Sequence, residues 1–350
     1  MLKAAYTPYS LIFKEPAITS RETMTRKDTY FVKIWDDSSP DLFGIGECAL
    51  FKGLGADDKP DYEARLSEAC RTVDSLSLSD LNDYSSIRFG FETALNDLKN
   101  GGQRSPFPGA WSRGKKSFVI NGLVWMGDRR TMVRRVRQKL GAGFTCIKFK
   151  IGGIDFDEEV SMISEIRKEF SIGDLEIRLD ANGSFSPDNA IKKLNVLAEF
   201  GIHSIEQPIR SGQWQDMRRI CASSPIDIAL DEELIGVNTT ALKRELISQI
   251  KPSYIILKPS LCGGFAGADE WISIAEKASV GWWATSALES NIGLNAIAQW
   301  VDNHNPVMPQ GLGTGQLYVN NIPSPIMQNG ERLYYDSDQK WEIPDLNWRS

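Results

Sequence analysis

Residues 146–150 read Cys-Ile-Lys-Phe-Lys, and residues 176–180 read Glu-Ile-Arg-Leu-Asp. Apolar and charged residues alternate in both stretches, which is typical of a β-strand because successive side chains point to opposite faces. The apolar set can pack against helices while Lys148 and Lys150 point to the other side. Both stretches also end in a charged residue, where an apolar strand would normally finish.

Short apolar segments of this kind recur along the chain and alternate with segments of helical periodicity. The predicted strands cover residues 118–124, 146–150, 176–180, 204–206, 228–231, 254–258, 282–285 and 307–310. Eight strands with seven intervening helices indicate an α/β fold with a parallel barrel. A doubly wound open sheet is the alternative, because periodicity alone does not show that a sheet closes.

The N-terminal third of the chain follows a different pattern. Residues 4–13 and 29–35 are rich in aromatic and β-branched residues and predict antiparallel strands joined by a polar loop at residues 15–27. Residues 62–76 and 81–98 carry apolar residues at three- and four-residue spacing and predict two helices.

Glycine and proline mark the boundary between the two patterns, at Gly101-Gly102 and in the run Pro106-Phe107-Pro108-Gly109. We therefore expect an α+β domain at residues 1–110 and a barrel at residues 117–325. Residues 326–350 are predicted to be a tail that returns to the first domain.

Composition narrows the classes of function. With 350 residues, of which 41% are hydrophobic and 25% charged, the chain has the size and balance of a two-domain globular protein. No apolar run reaches the roughly 20 residues needed to span a bilayer, and no signal-peptide core follows Met1, so we expect a cytoplasmic protein without a membrane partner. A net charge of −6 without a basic patch disfavours nucleic acid, so we expect a small-molecule substrate, while the oligomeric state stays open.

The cysteines and histidines exclude several kinds of site. Five scattered cysteines without C-x-x-C spacing predict reduced packing residues rather than disulfides or a zinc site. The two histidines, His203 and His304, are predicted to be structural or exposed. Acid–base chemistry should therefore fall to Lys, Asp, Glu or Tyr side chains.

Charged residues end the predicted second to sixth strands, and successive members of this set are 25 to 30 residues apart. They are Lys150, Asp180, Glu206, Asp231 and Lys258. In a parallel barrel these ends share one face, and three carboxylates meeting there would repel one another unless a cation were bound. Oxygen ligands without histidine favour Mg²⁺, so Asp180, Glu206 and Asp231 are the predicted metal ligands.

The two lysines of this set flank the three acid-bearing strands, so they should approach a metal-bound substrate from opposite faces. This suits proton transfer at a carbon α to a carboxylate, because a base must reach the carbon and a cation must stabilise the enediolate. Lys148 is a neighbouring cation that should favour the neutral, basic form of Lys150, and we count Lys148, Lys150 and Lys258 as catalytic candidates.

Five short motifs together resemble the muconate-lactonizing subgroup of the enolase superfamily. They are Lys148-Phe149-Lys150, Asp180-Ala181-Asn182, Glu206-Gln207-Pro208, Asp231-Glu232-Glu233 and Leu257-Lys258-Pro259. The resemblance covers nearly the whole chain and implies a (β/α)7β TIM-type barrel with an N-terminal α+β capping domain, whose residues 15–27 and 51–61 close over the barrel mouth. Residues 285–293 and 311–318 further resemble the o-succinylbenzoate synthases of menaquinone synthesis.

This resemblance implies dehydration of 2-succinyl-6-hydroxy-2,4-cyclohexadiene-1-carboxylate to 2-succinylbenzoate with Mg²⁺, which Mn²⁺ can replace. Lys150 would remove the α proton and then protonate the departing hydroxyl group. Lys258 would stay cationic on the other face and stabilise the enediolate by charge and cation–π attraction.

The remaining candidate residues surround this centre. Arg178 matches a family position beside the metal-binding aspartate, and Asn182 and Glu232 should orient the metal ligands. The predicted substrate-binding residues follow the seventh and eighth strands, where barrel loops meet substrate, and they are Ser286, Leu288 and Gly311.

A dipeptide epimerase or an N-acylamino acid racemase is the nearest alternative, because either would use both lysines. Dipeptide epimerases of the family tend to carry Asp-x-Asp near the eighth strand for the substrate ammonium group, whereas residues 307–314 contain no acid. An N-acylated substrate would not need that counter-ion, so racemisation stays open. A Schiff-base aldolase that used Lys258 would leave the three acids unexplained, and a purely binding barrel would not explain clustered charges that cost stability.

Overall fold

The computed structural model describes residues 1–18, 23–125 and 127–349. The chain begins with an antiparallel sheet of β1 (Leu2–Ile18), β2 (Thr23–Asp36) and β3 (Ser39–Cys48), in that order. Two helices, α1 (Tyr62–Arg71) and α2 (Ser85–Lys99), pack on this sheet around a shared apolar core. We call these five elements, with their connections, the cap.

The predicted loop at residues 15–27 is largely strand. β1 and β2 continue through it, with Leu11 opposite Lys27 and Ile18 opposite Thr23 after a register shift. A polar segment can form such a hairpin because one face of an antiparallel pair can remain in water. Residues 19–22 of the predicted loop lie outside the described residues.

The second part of the chain alternates strands and helices. In order, its elements are β4 (Ser117–Val119), β5 (Gly122–Val124), α3 (Arg129–Gly141), β6 (Cys146–Lys150), α4 (Phe156–Glu169), β7 (Glu176–Asp180), α5 (Ala190–Ala198), β8 (Ser204–Glu206), α6 (Trp214–Ser223), β9 (Asp227–Leu230), α7 (Thr240–Ile250), β10 (Tyr254–Leu257), α8 (Gly264–Lys277), β11 (Gly281–Ala284), α9 (Asn291–Asn303), β12 (Ile326–Asn329) and β13 (Arg332–Tyr335). Among the described residues, β5 to β11 form a seven-stranded parallel sheet in which each strand lies beside its neighbour in sequence. Apolar residues of the strands and the helices form the main core.

The first predicted strand is divided in two. β4 pairs antiparallel with β13, and only β5 joins the parallel sheet beside β6. Residues 118–124 are apolar apart from Asn121 and Gly122, and their apolar pattern alone does not reveal that two different partners share them.

The eighth predicted strand, at residues 307–310, is not a regular strand. Single parallel bridges join Gln310 to Ile120 and Gly311 to Thr285. Pro309 cannot donate a backbone hydrogen bond, which limits pairing along this segment.

The C-terminal residues pack against the cap. Trp341 and Ile343 contact a small apolar cluster that includes Phe31 of β2 and Ile45 of β3. Further along, a backbone bridge joins Arg349 to Tyr6 of β1.

Two sequence-level expectations concern the whole chain. All five cysteines are free and four of them are buried, which confirms that they are packing residues. Among the described residues, no helix combines the length and the apolar character that crossing a membrane requires.

Candidate active site

The parallel sheet aligns the charged strand ends. Lys150 at the end of β6 lies opposite Asp180 of β7, which in turn lies opposite Glu206 of β8. Asp231 directly follows β9, and Lys258 directly follows β10. The carboxyl ends of five neighbouring strands thus place these five side chains along one edge of the sheet.

Ammonium groups lie between the carboxylates at this edge. Lys148 donates to Oε2 of Glu206 at 2.5 Å and lies 3.0 Å from Oδ2 of Asp180. Lys150 donates to the same Asp180 oxygen at 2.7 Å. Both acids are almost completely buried, so these contacts replace water as the source of counter-charge.

The shifts in pKa show how crowded the charges are. Burial raises the pKa of Glu206 well above its ordinary value, and the charge of Asp180 adds to the increase. Burial acts in the same direction on Asp180, but the ammonium groups of Lys148 and Lys150 outweigh it and lower the pKa of that carboxyl group. Burial would lower the pKa of Lys148, yet the two acids raise it.

At the other end of the row of carboxylates, Lys258 forms an ion pair with Asp231. Burial opposes the charge on Lys258, but Asp231 and Glu206 raise the pKa of its ammonium group. Burial likewise opposes ionisation of Asp231, and Lys258 lowers the pKa of that carboxyl group. Both members of the pair are therefore charged at neutral pH.

An unpaired carboxylate oxygen of Glu206 indicates whether a metal ion would fit this site. Oε1 of Glu206 is buried and no hydrogen-bond donor within the described ranges reaches it. A hydrogen bond with the carboxyl group of Glu206 contributes to the lowered pKa of Asp231, behind the larger effect of Lys258. Two acceptor oxygens that face each other require a proton or a cation between them. The donor set therefore fits a hard divalent cation.

The present arrangement is not a ready-made metal cage. In the described part of the chain, no three His, Cys, Asp or Glu side chains stand in a ligand-like group. The ammonium group of Lys148 lies between Asp180 and Glu206 and supplies their counter-charge. A bound cation would have to replace such an ammonium group as the counter-charge.

The backbone turns sharply just beyond two of the carboxylates. Asn182 and Gln207 have φ values of +43° and +42°, which are uncommon for residues with a side chain. Asn182 donates its backbone N–H to Oδ1 of Asp180 at 3.1 Å and accepts from Lys150 at 2.7 Å. Its amide nitrogen donates to Oε1 of Glu232 at 2.9 Å. Asn182 therefore holds an acid and a lysine of the site in place.

The charged edge opens into a cavity of about 400 Å³ between the cap and the sheet. Of the residues singled out from the sequence, those that line it are Lys148, Lys150, Asp180, Asn182, Glu232, Lys258, Ser286, Leu288 and Gly311. Glu206 and Asp231 lie just behind this surface, in contact with Lys148 and Lys258. The start of the predicted closing loop at residues 51–61 also lines the cavity.

Arg178, which was predicted to lie beside the metal-binding aspartate, makes its hydrogen bonds with Glu176 and Pro309. Its guanidinium group donates to Glu176 at 2.6 Å and to the carbonyl oxygen of Pro309 at 2.9 Å, and it stacks over the ring of Trp283. Glu176 is the first residue of β7, whereas Asp180 is the last. Side chains alternate along β7, so Arg178 lies on the same face as Asp180 but two residues nearer the start of the strand. There it connects β7 to Pro309 and Trp283 in the interior of the sheet.

Several wall residues were not predicted individually from the sequence. They are Met24, Phe51, Lys52, Gly53 and Leu54 from the cap, and Asn121, Leu123, Trp125, Leu261, Thr285, Ala287, Gly313 and Thr314 from the second part of the chain. The strand-end rule that identifies Lys258 could have found Leu261, which is three residues further along. The cap residues fall within residues 15–27 and 51–61, which the family resemblance places over the barrel mouth. No local signal identifies the individual residues, because their place depends on how the cap sits on the sheet.

A parallel sheet with acids and lysines at its carboxyl edge, beneath an α+β cap, is the arrangement of the enolase superfamily. The family model described as "Enolase C-terminal domain-like" matches residues 131–310. The chain therefore belongs to this family.

More specific likenesses extend over nearly the whole chain. The o-succinylbenzoate synthase of Desulfotalea psychrophila is 43% identical over 366 aligned residues, which cover 95% of this chain and 98% of that protein. The crystal structure of MenC from Desulfotalea psychrophila LSv54 has a TM-score of 0.84 and 40% identity, and the match covers 95% of this chain and 99% of that one.

A more distant neighbour shares the fold. A dipeptide epimerase from Cytophaga hutchinsonii, crystallised with Mg and the dipeptide D-Ala-L-Val, has a TM-score of 0.79 at 22% identity. The match covers 96% of this chain and 93% of that one. At this identity the likeness supports a common fold and does not distinguish between reactions.

Proposed function

We propose that this chain is an o-succinylbenzoate synthase, a lyase that dehydrates 2-succinyl-6-hydroxy-2,4-cyclohexadiene-1-carboxylate to 2-succinylbenzoate in menaquinone biosynthesis. The observation that carries the proposal is the pair of lysines at opposite ends of the row of three carboxylates, in a chain 43% identical to such an enzyme along nearly its full length. The substrate is a small carboxylate. A cytoplasmic location stays a prediction from the sequence.

Asp180, Glu206 and Asp231 would hold Mg²⁺, which their oxygens and the unpaired Oε1 of Glu206 suit. When bound, the cation supplies a positive charge that stabilises the enediolate and orients the substrate carboxylate. Asn182 and Glu232 form the hydrogen-bonded support described above. Mn²⁺ prefers similar oxygen ligands and is proposed as a substitute.

Lys150 is the proposed base. It takes the proton from the carbon α to the ring carboxylate, and the C–H electron pair moves into the carboxylate to give the enediolate. That pair then returns to form the ring double bond as the C–O bond breaks, and the hydroxyl group leaves as water with the proton from Lys150. Atoms and charges balance, and the ring becomes aromatic.

Lys258 is proposed to stabilise the enediolate from the opposite side. Its ammonium group is buried, and its raised pKa keeps it positive at neutral pH, so it can attract the developing negative charge. Lys148 is proposed to influence Lys150 through its charge. The cavity wall at Ser286, Leu288 and Gly311 is proposed to contact the substrate.

Two proposals concern architecture. The bridges of Gln310 to Ile120 and of Gly311 to Thr285 support closure of the parallel sheet into a (β/α)7β barrel. The division into residues 1–110, 117–325 and 326–350 is supported by the separate apolar cores and by the contact of the C-terminal residues with the cap.

Racemisation of an N-acylamino acid or epimerisation of a dipeptide is the second candidate. The same two lysines could exchange an α proton between opposite faces, and the epimerase neighbour has this fold. Against a dipeptide, the cavity residues Gly311, Gly313 and Thr314 offer no acid for a substrate ammonium group.

The purified protein should be assayed with the cyclohexadiene substrate, with N-succinyl amino acids and with dipeptides, before and after treatment with EDTA. We expect dehydration that EDTA abolishes and Mg²⁺ restores, because the enediolate charge needs a cation. Full turnover in metal-free buffer would contradict the metal proposal. Turnover of dipeptides with no dehydration would favour the second candidate.

A further inference from the structure

Glu289 lies on the connection between β11 and α9 and is fully buried. Its Oε1 accepts the hydroxyl group of Ser260 at 2.6 Å, and its Oε2 accepts that of Ser286 at 2.5 Å. Ser260 is two residues beyond Lys258, and Ser286 lines the cavity. One carboxylate therefore links the loop of the proposed enediolate-stabilising lysine to the proposed substrate wall.

The wall next to Glu289 contains a residue in an unfavourable conformation. Leu288 has a φ of +64°, in the left-handed region that residues with a Cβ avoid. Its N–H donates to Oγ of Ser286 at 3.0 Å, and its carbonyl oxygen accepts the hydroxyl group of Tyr318 at 2.7 Å. Such a conformation persists only where surrounding contacts impose it, and it clusters at binding sites.

A carboxylate suits position 289 better than an amide. Ser260 and Ser286 both donate, so two acceptor oxygens are required, whereas glutamine offers one oxygen and one NH₂ group. Lys27 of β2 is also buried and lies within electrostatic range of Glu47 and Glu289. Burial lowers the pKa of Lys27, and the charges of Glu47 and Glu289 oppose that shift.

We propose that Glu289 is a positioning residue that sets the cavity wall at residues 286–288 and the loop of Lys258 relative to each other. It acts through Ser260 and Ser286 and is absent from the cavity surface. The kinetic part of this inference rests on the proposed function, whereas the structural part does not.

The test compares Glu289→Gln with Glu92→Gln. Glu92 is a matched control because it is also a buried carboxylate, it accepts from the backbone N–H of Phe265, and it is not among the residues that line the cavity. Hydrogen–deuterium exchange is followed by mass spectrometry over residues 286–290, and kcat and KM are measured with the cyclohexadiene substrate. We expect faster exchange at residues 286–290 in Glu289→Gln only, with kcat/KM lowered about 10- to 100-fold because small misplacements of reacting groups are costly.

Two milder variants remove the hydrogen bonds of Ser260 and Ser286 to Glu289 one at a time, and they remain informative if Glu289→Gln fails to fold. Ser260→Ala frees only the Lys258 loop and should mainly lower kcat, because Lys258 acts on the enediolate. Ser286→Ala frees Leu288 and should mainly raise KM.

Wild-type kinetics in Glu289→Gln would overturn the inference, whether or not exchange increases, because faster exchange alone would mean a purely structural role. Equal effects in Glu92→Gln would overturn it as well. If the wild-type protein does not dehydrate the substrate, the proposed function fails. The structural part of the inference is then tested by the exchange data alone. Unchanged exchange at residues 286–290 in Glu289→Gln would refute it.

Discussion

Two sets of carboxylates are buried to a similar degree in this protein, but they are held in different ways. The cap carboxylate of Glu47 accepts the backbone N–H groups of Ser290 and Gly293 at the start of α9. Glu92 accepts that of Phe265 at the start of α8 and pairs with Arg88. The cap thus places one carboxylate at the N-terminus of each of two helices, where backbone N–H groups and the helix dipole favour negative charge.

The strand-end carboxylates lack such fixed, neutral donors for most of their oxygens. Asp180, Glu206 and Asp231 depend on the ammonium groups of flexible lysines, and one oxygen of Glu206 has no donor among the described residues. The comparison shows that burial alone does not indicate function. A carboxylate that backbone donors satisfy joins two parts of a fold, whereas carboxylates that crowd together with lysines form a site that a cation can enter.

The largest expected effect comes from removing one strand-end charge. Asp180→Asn, Glu206→Gln and Asp231→Asn should each weaken Mg²⁺ binding and lower kcat/KM at least about 1,000-fold, because the cation stabilises charge in the transition state. Each variant should keep its fold, since no apolar core contact is lost. Titration calorimetry with Mg²⁺ and the dehydration assay would measure both effects.

Glu233→Gln is the control for these variants. Glu233 is buried in the turn after Asp231 and accepts from Gln207 and from the backbone of Gly212. Its substitution should leave Mg²⁺ affinity close to that of the wild type. Unchanged affinity in all three strand-end variants would place the ion site elsewhere.

The next effect distinguishes the two lysines. Lys150→Ala should abolish proton abstraction, whereas Lys258→Ala should lose stabilisation of the enediolate and keep the base. Exchange of the substrate α proton with deuterated solvent, followed by NMR, should therefore vanish in the first variant and continue slowly in the second.

A two-base racemase would behave differently, because inversion requires both lysines. If Lys150→Ala kept exchange and dehydration at the wild-type rate, the base would have to be another residue. Equal loss of exchange in both lysine variants would favour the two-base reaction.

The smallest effect concerns stability at the cap. Glu92→Ala should lower the free energy of unfolding by about 1–3 kcal/mol, because the N–H of Phe265 and the guanidinium group of Arg88 lose a buried acceptor. Glu92→Gln keeps one acceptor oxygen and should cost less. Urea unfolding at several pH values would measure both variants.

The pH dependence follows from the raised pKa of Glu92, which burial causes. Between the ordinary glutamate pKa of about 4.3 and the higher folded value, the folded protein binds more protons than the unfolded chain. The stability contributed by this group is therefore present at low pH and is lost as pH rises through the folded pKa. Glu92→Gln should remove this slope, and identical slopes in both proteins would contradict the assignment.

The local sequence pattern was sufficient to predict much of the fold and the charged residues at the strand ends. The alternation in residues 146–150 and 176–180 predicts strands, and the structure pairs these two strands with Lys150 opposite Asp180. The local sequence pattern gave wrong predictions where the structure depends on which strands pair with each other. Residues 15–18 and 23–27 belong to a segment predicted as a polar loop, yet they lie in β1 and β2, and residues 118–124 are shared between two sheets.

Sequence spacing could identify Lys150, Asp180, Glu206, Asp231 and Lys258 because a repeated β/α unit carries each strand end to the same edge, so position along the chain becomes position in space. Only the tertiary structure could assign the individual cap residues of the cavity wall, the contacts of Arg178 and the link through Glu289. The bond from Ser290 to Glu47 spans 243 residues, and Arg178 reaches a carbonyl group 131 residues away. Such contacts depend on how separately folded segments pack, and no local periodicity records that packing.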